Sequence, residues 1–109
     1  MEMSSALIAF DALGQPTRLA VFRLLVQRGA GMAAGEIAGA LNLLPNTLST
    51  HLSILAKAGL ITAMREGRSI HYAADMAGVR ALIGWLLQDC CGGRPEICAP
   101  VLDALHCNC

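Results

Sequence analysis

A narrow apolar stripe on one predicted helix limits the possible folds of this chain more than any other feature. The segment NTLSTHLSILAKAGL follows Pro45, a residue suited to a first helical turn, and ends near Gly59. On a helical wheel, Leu48, Leu52 and Leu55 share one side, which must be buried against other elements. The opposite side has no acid and carries short hydrogen-bonding groups: Asn46, Thr50, Ser53 and Lys57, flanked by Thr47 and Ser49, with His51 at the stripe's edge. Such a face is either a solvated surface or a surface that reads a nucleic-acid groove.

Three apolar segments before this helix predict further helices. Residues 4–13 form the first, and Gly14 is expected to stop it in the left-handed conformation. The second is QPTRLAVFRLLVQRG, in which Leu19, Phe22 and Val26 recur at helical spacing. The third covers residues 33–42, with Asn42 as a left-handed stop.

The helix predicted from Pro45 onward is called the reading helix. A β-hairpin is predicted directly after it. In LITAMREGRSIHYAA, two β-prone runs flank the turn from Arg65 to Arg68. The turn is either a solubilised loop or a wing, in which Arg65 and Arg68 would reach nucleic-acid phosphates. The elements together predict a mainly α fold with a small β-hairpin, a winged helix-turn-helix.

A last helix, MAGVRALIGWLLQDCC, is predicted after Asp75, which offers it an N-cap. Val79, Ile83, Leu86 and Cys90 follow a four-three-four spacing, typical of a helix that packs on another helix. The whole chain, residues 1–109, is short enough to be one domain that ends in a cysteine tail, residues 90–109. Because 55% of residues are apolar and only 15% are charged, the apolar surface exceeds one core, and a homodimer is expected.

The N-terminal sequence and the charge distribution also predict the cellular location and the type of partner. The N-terminus MEMSSALIAF has an acid where a secretory signal carries Lys or Arg, and no apolar run approaches a membrane span, so a cytoplasmic protein without a membrane partner is expected. Net charge is zero, but residues 46–72 carry a balance of +2 and residues from 81 onward a balance of −2. An anionic partner for the middle of the chain fits this distribution. No phosphate-binding glycine loop, carboxylate pair or nucleophile elbow indicates an enzyme.

All five cysteines lie in the last twenty residues: Cys90, Cys91, Cys98, Cys107 and Cys109. A disulfide staple, a metal site and a redox switch are the three explanations. The odd number and a reducing cytosol count against the staple. Taken alone, Cys90 would simply be a small apolar residue in a helix seam. Gly92 and Gly93 let the helix end and the chain fold back, so that neighbouring thiols can meet.

Three stretches of the chain resemble the ArsR/SmtB family of metal-sensing bacterial repressors: GQPTRLAVFRLL, GEIAGALNLLPNTLSTHLSILAKAGLI and REGRSIHYA. The resemblance covers roughly residues 5–90, and its most specific part runs from Ser49 and His51 to Leu60, followed by the wing. It implies a homodimer, joined mainly by the first and last helices, that binds operator double-stranded DNA. The residues expected at the DNA are Asn46, Thr47, Ser49, Thr50 and His51 on the reading helix, with Arg65 and Arg68 on the wing.

The family's ion sites can be compared with this chain residue by residue. Its Cys-Val-Cys pair before the reading helix is absent, and its zinc site on the last helix lacks a histidine here although Asp75 is present. Leu44 stands where the family often has a hydroxyl N-cap. The arsenic-sensing subgroup has a Cys-Cys pair at the end of the last helix and a third Cys later, as Cys90, Cys91 and Cys98 do here.

The resemblance therefore implies a repressor that releases DNA when these three thiolates bind trivalent arsenic as arsenite, with antimonite or methylarsenite as further candidate ions. Soft thiolate ligands suit these soft ions. Alternatives stay open: a redox-sensing regulator whose tail forms a disulfide, or a winged-helix protein-interaction module whose tail holds a structural zinc.

Overall fold

The computed structural model describes residues 1–87, which form five helices and three strands. The elements are α1 (Met3–Leu13), α2 (Pro16–Arg28), β1 (Met32–Ala33), α3 (Ala34–Leu41), α4 (Pro45–Lys57), β2 (Ile61–Glu66), β3 (Ser69–Ala74) and α5 (Met76–Leu86). Helix α4 is the reading helix, and the β2–β3 hairpin is the wing. The predicted end of the last helix and the whole cysteine tail lie outside the described residues.

The strands form one antiparallel sheet in the order β1-β3-β2. The predicted hairpin is confirmed, with Ile61 opposite Ala74 and Glu66 opposite Ser69. Its loop is tighter than the sequence indicated, since only Gly67 and Arg68 lie between the paired residues. Gly67 has φ of 61° and Arg68 has no positive φ, the pattern of a type II′ turn. Strand β1 was not predicted; it pairs Met32 with Tyr72.

The core lies between the helices and the base of the sheet. The predicted stripe on α4 is confirmed, because Leu48, Leu52 and Leu55 are all buried. On α2, however, Val21 and Leu25 enter the core, while Leu19 and Val26 are exposed. Nearly every position of α2 between these residues is apolar, so helical spacing alone could not select the buried face.

Two predicted helix stops have different outcomes. Asn42 ends α3 with φ of 54°, which confirms the left-handed stop. Gly14 ends α1, but its φ of −78° is not left-handed, so that part of the prediction was wrong. The chain turns there without needing a positive φ, since Pro16 begins α2 only two residues later.

The start of α5 is tied to the end of the reading helix. Asp75 accepts a bond from the Gly78 N–H at 3.0 Å, which confirms the predicted N-cap, and donates its own N–H to the Leu60 carbonyl at 2.9 Å. A Cβ on Gly78 would collide with the Gly59 carbonyl oxygen. The φ of 79° at Gly59 is also one that larger residues rarely adopt, so this junction needs glycine on both sides.

Helix α1 turns its small residues inward and its large ones outward. Ala6, Ala9 and Ala12 are each 1% exposed and face the core. The opposite side carries the outer face of α1, defined here by four large apolar residues that are 41–64% exposed: Met3, Leu7, Ile8 and Phe10. On α5, Leu82 is buried and Leu86 is 54% exposed. Several exposed large apolar residues on one side of a helix are typical of an interaction site.

Candidate nucleic-acid interface

The reading helix is held by its leucines and presents its polar side to solvent. Leu48, Leu52 and Leu55 are 0–2% exposed, so rotation of α4 about its axis would expose apolar surface. The side chains predicted to meet DNA on the other side are exposed: Asn46, Thr47, Ser49 and Thr50. The described structure thus brings these four residues together on one accessible surface.

The first turn of the reading helix lacks a side-chain cap. Leu44 occupies the N-cap position, makes no capping hydrogen bond and is 74% exposed. Pro45 at the first helical position has no N–H to satisfy, whereas the N–H groups of Asn46 and Thr47 are left without a capping acceptor. These N–H groups lie at the positive end of the helix dipole, which favours an anion there. At the other end, Lys57 in the last turn complements the negative end of the dipole.

His51 differs from the other predicted DNA contacts. Its side chain is half-buried rather than exposed. Its Nδ1 lies 3.5 Å from Nη1 of Arg18, which comes from the first turn of α2. The half of the ring that carries Nδ1 therefore faces the protein.

The wing carries both predicted arginines in exposed positions. Arg65 lies within β2 opposite Ile70, and Arg68 lies in the loop. Glu66, between them in sequence, has its Oε2 3.7 Å from Nε2 of His71, a pair that is ionic only when the histidine is protonated. Two cations and one partly engaged acid leave the wing tip electropositive, which suits contact with phosphates.

The predicted ion ligands Cys90, Cys91 and Cys98 all lie outside the described residues. Within residues 1–87, no cluster of three or more His, Cys, Asp or Glu side chains could hold a metal. None of the helices in that range is both long and apolar enough to cross a bilayer.

A helix-turn-helix with an exposed polar reading helix and a basic hairpin defines a winged helix-turn-helix protein. The family model described as "Helix-turn-helix domain" matches residues 13–62, from the end of α1 to the start of β2. The transcriptional repressor SdpR of Bacillus subtilis is 36% identical over 78 residues, which cover 72% of this chain and 84% of that protein. The regulator CmtR of Mycobacterium tuberculosis is 37% identical over 78 residues, 71% of this chain and 64% of that protein. The chain belongs to the ArsR/SmtB-type family of winged-helix transcriptional regulators.

Solved structures support the same fold. An ArsR-like regulator from Rhodococcus sp. RHA1 superposes with a TM-score of 0.72 over 94% of both chains; at 22% identity it supports the fold alone. The homodimeric winged helix-turn-helix domain of Mb0332 from Mycobacterium bovis has a TM-score of 0.64 and 29% identity, and covers 80% of this chain and 82% of that one. HlyU from Vibrio cholerae has a TM-score of 0.65 and 27% identity, and covers 81% and 96%. Family members of this kind are DNA-binding regulators rather than enzymes.

Two features of the structure were not predicted from the sequence. Arg18 was not singled out, although a lone cation in the first turn of an apolar helix could have drawn attention to it. The outer face of α1 was also missed, because Leu7 and Ile8 look like core residues until the alanines on the other side of the helix are seen to face inward.

Proposed function

We propose that the protein is a homodimeric repressor that binds operator DNA through the reading helix and the wing, and releases it when trivalent arsenic binds the cysteine tail. The observation that carries the DNA-binding part is the acid-free, exposed face of α4, held rigidly by three buried leucines. Relatives include a named repressor, SdpR, and a named activator, HlyU, so the direction of regulation belongs to the proposal.

Dimerisation supplies the spacing that DNA reading needs. In a two-fold dimer the two reading helices enter successive major grooves, roughly 34–36 Å apart. The outer face of α1 and exposed Leu86 on α5 offer the apolar surface that such a dimer would bury. The homodimeric Mb0332 domain supports this arrangement.

The arsenic part rests on the sequence of the tail. Cys90 and Cys91 follow α5 closely, Gly92 and Gly93 allow a reversal, and Cys98 supplies a third thiolate. Trivalent arsenic prefers soft sulfur ligands, and three of them complete its coordination. Binding would weaken the hold on DNA only if the ion prefers the DNA-free conformation, since the coupling of the two sites is reciprocal.

The DNA-binding part is tested by titrating the protein against duplexes selected from a random pool, followed by fluorescence anisotropy. We expect a selected duplex to bind at least about a thousandfold more tightly than random DNA at physiological salt, and the affinity to fall steeply as salt rises. Equal affinity for selected and random DNA, or an affinity that does not change with salt, would contradict the proposal.

The arsenic part is tested by adding arsenite to the preformed complex under reducing, anaerobic conditions. Release corresponding to about a 5–150-fold loss of affinity is expected for the wild type. Cys90→Ser, Cys91→Ser and Cys98→Ser should each bind the same duplex and lose most of this release. The matched control replaces both Cys107 and Cys109, and it should respond like the wild type. If the Cys107 and Cys109 double variant did not release DNA with arsenite while Cys98→Ser responded normally, the ion site would instead lie in the last three residues.

A redox-sensing regulator is the second candidate, favoured by one specific similarity. A structure described as reduced HlyU from Vibrio cholerae has a TM-score of 0.63 and 26% identity, covering 81% of this chain and 90% of that one. The two candidates separate when the complex is treated with hydrogen peroxide in the absence of arsenic. Release by peroxide that dithiothreitol reverses, with no release by arsenite in reduced protein, would favour the redox regulator.

A further inference from the structure

The Arg18 side chain on α2 links the last turn of α1 to the middle of the reading helix. Its Nε donates to the Ala12 carbonyl at 2.7 Å, and its Nη2 donates to the Asp11 carbonyl at 3.4 Å. Both carbonyls belong to the last turn of α1, the negative end of that helix dipole, where a cation is stabilised. The Arg18 backbone N–H is itself bonded to the side chain of Gln15 at 2.8 Å. The guanidinium and the backbone N–H of Arg18 are therefore both held by hydrogen bonds.

The remaining arm of the guanidinium reaches the reading helix. Nη1 of Arg18 lies 3.5 Å from Nδ1 of His51, and both side chains are half-buried. A guanidinium has only donors, so a hydrogen bond at this position requires Nδ1 to accept. In a neutral imidazole whose Nδ1 accepts, the proton sits on Nε2.

The other ring nitrogen is left available. No described residue bonds to Nε2 of His51, and no buried side-chain nitrogen or oxygen in the described range lacks a partner. Within residues 1–87, Nε2 is thus on the solvent side of the ring. It lies on the same helix as exposed Ser49 and Thr50.

We propose that Arg18 is a positioning residue that holds His51 in the tautomer with Nε2 protonated, so that the reading helix presents a fixed hydrogen-bond donor to DNA at this position. The inference rests on the proposed DNA-binding function for its consequence, but the tautomer itself is a property of the free protein. A donor here needs an acceptor on DNA, which is either a phosphate oxygen or the acceptor edge of a purine.

The first experiment determines the tautomer directly in the DNA-free protein, using the whole chain of 109 residues. Protein labelled with ¹⁵N-histidine is studied by NMR at a pH above which the ring ¹⁵N signals no longer change. His51→Gln assigns the His51 signals among the three histidines. We expect the wild type to show His51 with Nε2 protonated, and Arg18→Gln to show a mixture of tautomers. A wild-type ring protonated on Nδ1 would overturn the proposal, whether or not the Arg18 variant folds.

The second experiment measures coupling at the DNA. Affinities of the wild type, Arg18→Gln, His51→Ala and the double variant are compared on the selected duplex and on random DNA. Arg18→Gln should weaken binding by about five- to tenfold when His51 is present and by less than about twofold when it is alanine, as expected for contacting residues. Equal losses in both backgrounds would overturn the role of Arg18.

Two control variants test whether loss of a charge alone explains the effect and whether a hydrogen-bond donor at this position is sufficient. Arg23→Gln removes a charge from an exposed position on the same helix and should leave the His51 tautomer unchanged. His51→Gln keeps a donor near the position of Nε2 and should retain most of the affinity that His51→Ala loses. A loss on selected DNA alone assigns the acceptor to a base, and an equal loss on random DNA assigns it to a phosphate. If the wild type binds no DNA, the proposed function fails while the tautomer result still stands.

Discussion

The outer face of α1 can be tested by shortening a single side chain. Leu7 is 61% exposed, and Leu7→Ala removes three carbon atoms while leaving the best helix-forming residue in place. At about 0.8 kcal/mol per buried carbon, scaled by the exposed fraction, covering this side chain is worth roughly 1.5 kcal/mol. A two-fold dimer contains the substitution twice, so the dimer should lose about 3 kcal/mol, or roughly a hundredfold in dissociation constant.

The assay is sedimentation equilibrium over a wide range of protein concentrations. Met64→Ala is the control, because Met64 is 64% exposed, a similar fraction, but lies on the wing. We expect this control to dissociate like the wild type. The reasoning is refuted if Leu7→Ala also dissociates like the wild type, or if Met64→Ala weakens the dimer equally.

Further predictions concern the glycine junction, the helix cap and the DNA contacts. Gly78→Ala should destabilise the fold by about 1–3 kcal/mol and lower the melting temperature by several degrees, because the new Cβ would clash with the Gly59 carbonyl oxygen. Gly39→Ala is the control: a Cβ there has open space around it, so this change should stabilise α3 by about 0.5–1 kcal/mol. Leu44→Ser should add the missing cap and raise stability by about 1 kcal/mol, and an unchanged melting temperature would show that the cap is not limiting. Thr50→Ala should cost more on selected than on random DNA, whereas equal losses would assign Thr50 to the backbone. Arg68→Ala should weaken binding to all sequences and reduce the salt slope by about one, and an unchanged slope would remove the wing from the interface.

Periodicity predicted the fold best where the pattern was one-sided. On α4 three leucines faced a wholly polar opposite side, and all three are buried. On α2 the apolar residues surround the helix, so only packing against neighbouring elements decides that Val21 and Leu25 enter the core. Strand β1 has two residues, too few for any alternation to be recognised.

The candidate site was predictable in its residue types and less so in its arrangement. The exposure of Ser49 and Thr50 follows from the wheel, because these positions lie away from the leucines. The half-buried state of His51 does not, since it depends on Arg18, which lies 33 residues earlier in the chain. A local sequence pattern cannot predict that the guanidinium of Arg18 on α2 will contact the His51 ring on α4.

The alanine lining of α1 has a consequence for the stability of a lone chain. Ala6, Ala9 and Ala12 give the core one methyl group each, so the first helix gains little apolar burial from its own domain. Its amides should therefore exchange with deuterium sooner than those of α4, whose leucines are buried. The Arg18 bonds hold the last turn, so opening should begin at Met3 and travel toward Ala12. In the proposed dimer a second chain would cover the outer face of α1, so protection of these amides should rise with protein concentration.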